Sequence, residues 1–129
     1  MIKISKQSQY GLRAMACLAR TSKNKKIFSV KSISLQEGIP FDFLEKIISK
    51  LEKSGLVSAK KGIQGGYLLK KSPKLISVYD IVSSLEGKSH LVNCLFCGKS
   101  KKCVAKNVWG KIENSLNKSL KSIKLSQLI

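Results

Sequence analysis

One segment constrains the fold more than any other: an amphipathic stretch that ends in Ser54-Gly55 and runs straight into two short apolar runs separated by a glycine-rich tip. In the stretch, Leu44, Ile47, Ile48 and Leu51 recur at i, i+3, i+4, i+7, while Asp42, Glu45, Lys46, Ser49, Lys50 and Lys53 hold the other side. That spacing predicts a helix over 39–54 with a single buried face. Pro40 is tolerated near its start, where a missing N–H loses no intrahelical bond. Leu56–Lys61 and Tyr67–Lys70 then read as strands around Gly62-Ile-Gln-Gly-Gly66, a hairpin with basic shoulders.

The flanking segments supply further helices. Ser5 to Ala19 is mostly small or apolar, including Cys17, and fits a helix buried on most of its circumference, with Lys6, Gln7 and Gln9 at its wet end. The lysine-rich Thr21–Ile27 reads as a loop. Ser29 caps a short helix that Gly38 stops, and Ser77 caps another through Val78, Ile81, Val82 and Leu85 that Gly87 ends. A last helix is expected from near Cys103, with Val104, Val108, Ile112, Leu116, Leu120 and Ile123 along one side and Trp109 adjacent. A stripe of that length on a terminal helix needs a partner surface. The expected fold is therefore mainly α with a small β-hairpin wing, divided into residues 1–87 and 88–129.

Two short helices with a glycine-containing turn, followed by a basic hairpin, match a winged helix-turn-helix, whose second helix enters the major groove while the wing follows the backbone. Asp42 and Glu45 are suited to accept from a cytosine amino group and Lys46 to donate to guanine. Lys60 and Lys61 at the wing root suit phosphates, and Lys6 and Gln64 complete the expected DNA-contacting set. The bland alternative is that the carboxylates only complement the helix dipole and the lysines form a solvated face. Charge weighs in at this point: 25 Lys+Arg against 7 Asp+Glu give +18, which calls for a polyanion, and only Arg13 and Arg20 are arginines.

Between the two halves lie Cys94, Cys97 and Cys103. Thiolates bind soft and borderline metals, and three of them on one short loop can converge on a single centre without a large fold around them. His90, four residues ahead, is a candidate fourth ligand, with a solvated loop histidine as the alternative. Met1-Ile-Lys-Ile-Ser-Lys6 is followed by no secretory core, and no apolar run approaches the roughly 18 residues of a membrane span. A cytoplasmic protein is expected, where disulfides are disfavoured and a Cys-x-x-Cys pair ligates metal or does redox chemistry. Cys17, set among Ala14 and Leu18, reads as a small core hydrophobe, and Tyr10, Tyr67 and Trp109 as packing residues. No catalytic constellation accompanies the lone histidine, so no enzyme is expected.

The segments Ile4–Met15, Gly38–Ile47 and above all Gly55–Leu69, with its Gly62-x-x-Gly65-Gly66-Tyr67 wing, resemble the Rrf2 family of bacterial winged-helix transcriptional regulators. The resemblance covers nearly the whole chain. It implies a homodimer whose long C-terminal helices cross, presenting two winged helices to a roughly palindromic double-stranded operator as a repressor. In cluster-binding members three cysteines ligate an iron-sulfur cluster, of the 2Fe-2S or 4Fe-4S type, and here they match Cys94, Cys97 and Cys103. Two departures stand out. The first arm is Cys-x2-Cys rather than nearer Cys-x5-Cys. Where members governing iron-sulfur biogenesis carry a histidine three positions after the third cysteine, this chain has Lys106, a poor ligand while protonated; the carboxylate ligand of nitric-oxide-sensing members corresponds to Gln9. The readings set beside a cluster are direct cysteine oxidation, favoured by nearby Lys99, Lys101 and Lys102, a structural zinc site, or no metal at all. A thiol oxidoreductase and a basic RNA-binding protein leave more of the chain unexplained.

Overall fold

The computed structural model describes residues 4–22, 27–63, 65–87 and 104–129. Their order is α1 (Lys6–Arg20), α2 (Val30–Glu37), α3 (Phe41–Lys53), β1 (Val57–Lys60), β2 (Gly66–Leu69), a 3-10 turn (Pro73–Leu75), α4 (Val78–Glu86), α5 (Val104–Ser122) and a closing 3-10 turn (Leu125–Leu128). The mainly helical architecture with one antiparallel hairpin is the one the sequence predicts.

Local chemistry sets most boundaries. The Ser5, Ser29 and Ser77 hydroxyls each accept from the backbone N–H three residues on, which satisfies one of the N–H groups a helix start leaves unpaired. At Ser77 the bond is reciprocal: Asp80 Oδ2 accepts from Ser77 N at 3.0 Å while Ser77 Oγ accepts from Asp80 N at 3.1 Å. Gly38 ends α2 in the left-handed region at φ 66°, where a side chain would be strained. The third helix begins at Phe41 rather than Ile39, because Pro40 is extended at ψ 130°, and Ile39 becomes a buried linker residue.

The core gathers around α1, which packs against α2, α3, α4, β2 and the C-terminal turn. Ala14, Met15, Ala16, Cys17, Leu18 and Ala19 are buried in sequence, so this helix is enclosed on most sides. Leu44, Ile47, Ile48 and Leu51 of α3 are all inside; each such side chain contributes about 1.5–3 kcal/mol relative to exposure. Tyr10 and Tyr67 pack on this core, as expected, whereas Trp109 is half-exposed.

Both arginines are engaged between α1 and α2. Arg13 Nε and Arg20 Nη1 lie 3.8 and 3.7 Å from the two Glu37 carboxylate oxygens, and Arg13 also donates to the Glu37 carbonyl. These half-exposed pairs orient α2 on α1 more than they stabilise it.

The hairpin pairs Val57 with Leu69, Ser58 with Leu68, Ala59 with Tyr67 and Lys60 with Gly66. Phe28 adds a one-residue third strand, donating to Tyr67 O at 3.1 Å and accepting from Tyr67 N at 2.7 Å. The close approach requires Gly66, since a Cβ there would collide with the Phe28 carbonyl.

No residue of α5 is buried within the described chain, and Val104, Val108 and Ile112 of its stripe are exposed. Beyond the helix the chain returns to the core: Val78 N donates to Ile123 O and Leu125 N to Ile76 O, both at 2.8 Å, and Leu125 is fully buried. Lys121 Nζ sits 4.6 Å from the Tyr79 ring centroid, a second tie between α5 and α4.

Candidate DNA-binding face and cysteine segment

The turn Gly38-Ile39-Pro40 places α2 against α3, and α3 packs on β1, so the helix-turn-helix and the wing form one unit. Asp42, Glu45 and Lys46 are exposed on α3, opposite its buried stripe. Asp42 in the first turn and Lys50 and Lys53 in the last complement the helix dipole. Lys60 and Lys61 are exposed at the wing root, with Ile63 fully exposed near its tip. Gln64 lies outside the described residues.

Lys6 connects to this face through aromatic rings. Its ammonium is 5.8 Å from the Tyr10 centroid, and Tyr10 meets Phe43 of α3 edge-on at 5.5 Å, interplanar angle 82°. Arg13 lies over the same ring at 5.8 Å. Lys6 and Arg13 thus rest on a packed ring. The wing is held by Tyr67, which packs on the core and pairs with Phe28; burial first, then the Glu52 carboxylate near the end of α3, push its phenol up.

Cys94, Cys97, Cys103 and His90 lie outside the described residues, between Gly87 and Val104. Among the described residues no group of three His, Cys, Asp or Glu side chains is placed to hold a metal ion. Cys17 is buried in α1, and burial, then the Glu37 carboxylate, raise its thiol pKa, which makes it an inert core residue. Lys106 is half-exposed in the first turn of α5, and Gln9 spends its amide on the Ile4 carbonyl at 2.8 Å. As for donor chemistry, three thiolates with one further ligand suit an iron-sulfur cluster or zinc equally.

Two features of this region escape a reading of the sequence. Glu86, the last residue of α4, accepts from Ser8 Oγ at 2.6 Å and from Ser5 Oγ at the start of α1. These hydroxyls, Ser5 first, hold its carboxyl below the usual range. The other feature is an exposed aromatic, Phe41, at the first position of α3. Its only sequence signal is a large apolar residue directly after the helix-initiating proline.

A two-helix turn, a recognition helix with exposed polar residues and an anchored basic wing define a winged-helix DNA-binding transcriptional regulator, not an enzyme. The chain belongs to the Rrf2 family, described as iron-dependent transcriptional regulators, which it matches over residues 4–129. It is 29% identical over 132 residues to the protein rrf2 of Nitratidesulfovibrio vulgaris, covering 99% of this chain and 87% of that one. Its fold is similar to the T. potens IscR structure, with TM-score 0.81 and 37% identity over 97% of this chain and 84% of that one. It is similar also to CymR, the global cysteine regulator of B. subtilis, with TM-score 0.84 and 32% identity over 99% and 96%. No helix among the described residues is long and apolar enough to cross a membrane.

Proposed function

We propose that this chain is a cytoplasmic homodimeric repressor whose affinity for a roughly palindromic DNA operator is set by an iron-sulfur cluster on Cys94, Cys97 and Cys103. The observation that carries the reading is the position of these thiols. They fall in the sequence between α4 and α5, whose Val104, Val108 and Ile112 are exposed and are proposed to make the dimer surface. When bound, the cluster supplies a centre that responds to oxidants, nitric oxide or iron-sulfur supply. The chain's own contribution is the connection: the chain beyond α5 is tied to Val78 at the start of α4 through Ile123 and to Ile76 just ahead of it through Leu125, and the end of α4 is tied to α1 through Glu86. Cys94, Cys97 and Cys103 ligate iron, and His90 is the proposed fourth ligand.

On the DNA, Asp42, Glu45 and Lys46 read base edges, while Lys6, Lys60, Lys61 and Gln64 hold the backbone. The test is purification without oxygen. The expected product is coloured, with iron and acid-labile sulfide close to stoichiometric with each subunit, and Cys94→Ala loses the colour. A colourless protein that takes up zinc but no iron overturns the cluster reading.

A second reading draws on the similarity to the cysteine regulator CymR. In it the thiols themselves carry the signal, with Cys94 and Cys97 oxidised to a disulfide. Mass-spectrometric detection of that disulfide under mild oxidant, in metal-free protein whose DNA affinity changes in step, favours it.

A further inference from the structure

Phe41 keeps 43% of its surface exposed, and Leu35 near the end of α2 keeps 76%. With Lys31 and Ser34 they line an open depression, almost wholly apolar in surface, spanning the two helices of the helix-turn-helix. Folding does not account for this exposure. Phe43, two residues further on, packs against the core and the edge of Tyr10, so α3 already has its aromatic anchor.

Helical spacing puts Phe41 one turn ahead of Glu45 on the same side of α3. The first turns of a recognition helix are the part that reaches base edges. Among the groups that base pairs display in the major groove, the 5-methyl of thymine is the apolar one. We propose that Phe41 is a specificity-determining residue that reads a thymine 5-methyl, with Leu35 extending the apolar surface that receives it and Lys31 at the rim facing the neighbouring phosphate. The proposal deepens the reading of α3 as the major-groove helix and rests on it. It gives the chain an apolar contact to add to the hydrogen-bonding pattern of Asp42, Glu45 and Lys46, and it predicts an operator with a required thymine in each half-site.

The test begins with duplexes selected from a random-sequence pool by the wild-type protein. Each thymine of the selected site is then replaced in turn by deoxyuridine, which removes only the methyl. At one position per half-site the wild type is expected to bind about fourfold more weakly, the effect of one buried methyl group. Phe41→Ala is expected to bind the thymine and deoxyuridine duplexes equally, and Phe41→Leu to keep part of the discrimination, with unchanged helical circular dichroism in both. Indifference of the wild type to every replacement overturns the proposal and leaves the depression to a protein partner. Undiminished discrimination by Phe41→Ala overturns it as well. Failure of the wild type to enrich any duplex is a different result, because it removes the DNA reading itself.

Discussion

Leu125 is the sharpest structural test of how α5 is joined to the DNA-binding unit. It lies beyond the helix, is fully buried, packs against α1 and the Pro73–Leu75 turn, and belongs to the same core as Met15, Ile47 and Ile81. Leu125→Ala removes three carbons, at about 0.8 kcal/mol each, and leaves a cavity that the surroundings fill only in part. The expected loss is about 3 kcal/mol, a large share of the roughly 5–15 kcal/mol that stabilises a domain. With a urea m-value near ~1.5 kcal/mol/M, the unfolding midpoint falls by about 2 M. Leu128→Ala, three residues on and 38% exposed, is the control, with an expected loss under about 1 kcal/mol. The assay is equilibrium urea unfolding followed by far-ultraviolet circular dichroism, at one protein concentration because any self-association adds to apparent stability. Equal midpoints for the two variants would refute the placement of the tail in the core, and with it the mechanical link from α5 to α4.

The wing makes a separate prediction: Gly66→Ala forces Phe28 away and breaks its two hydrogen bonds with Tyr67, so all duplexes should bind about tenfold more weakly at unchanged helicity. Wild-type affinity in a filter or anisotropy assay would contradict this. Replacing Lys60 and Lys61 together by alanine should lower the magnitude of the log–log salt slope by about 0.9 for each phosphate no longer neutralised, whereas Glu45→Ala should leave the slope and relax base preference at one position per half-site. Equal effects of the two changes on selected and random duplexes would remove that division of labour. Glu86 gives a pH dependence. Its folded-state pKa is depressed, so its contribution to stability is complete above about pH 4.3 and is lost as pH falls through the lowered folded value. Ser8→Ala, which removes one donor, should move the Glu86 titration upward in a carboxyl-resolved NMR experiment; an unmoved titration would show that the hydroxyl is not the cause.

What was legible in the sequence is what short-range physics writes there. Ser29 and Gly38 bracket α2, and Ser77 and Gly87 bracket α4, because capping oxygens and left-handed turns act within a few residues. The stripe Leu44, Ile47, Ile48, Leu51 places α3 for the same reason. Pairings between distant segments leave no such trace. Glu86 and Ser8 are 78 positions apart, and neither residue type signals the other. Phe28 becomes part of the sheet because β2 passes beside it, although the Ile27-Phe28 pair at the end of a lysine-rich loop is too short for a strand pattern. Leu125 sits in the short tail Lys124-Leu-Ser-Gln-Leu-Ile129, whose three apolar residues span too few positions to show a periodicity. On the exposed side of α3, Asp42, Glu45 and Lys46 announce themselves through their type, whereas nothing in the sequence marks Phe41 as exposed. The cysteine segment is legible as donor chemistry alone, since thiolate spacing fits more than one metal.

Control of DNA affinity by a cysteine-bound cluster is read directly from the Kd of the selected operator for oxygen-free, cluster-loaded protein and for the same preparation after chelation, at one salt concentration. The expected change is about tenfold or more between the two forms, as for a coupling of roughly 1–3 kcal/mol, abolished in Cys94→Ala. Identical Kd values for protein shown to contain iron and sulfide, and for protein shown to lack them, would contradict it.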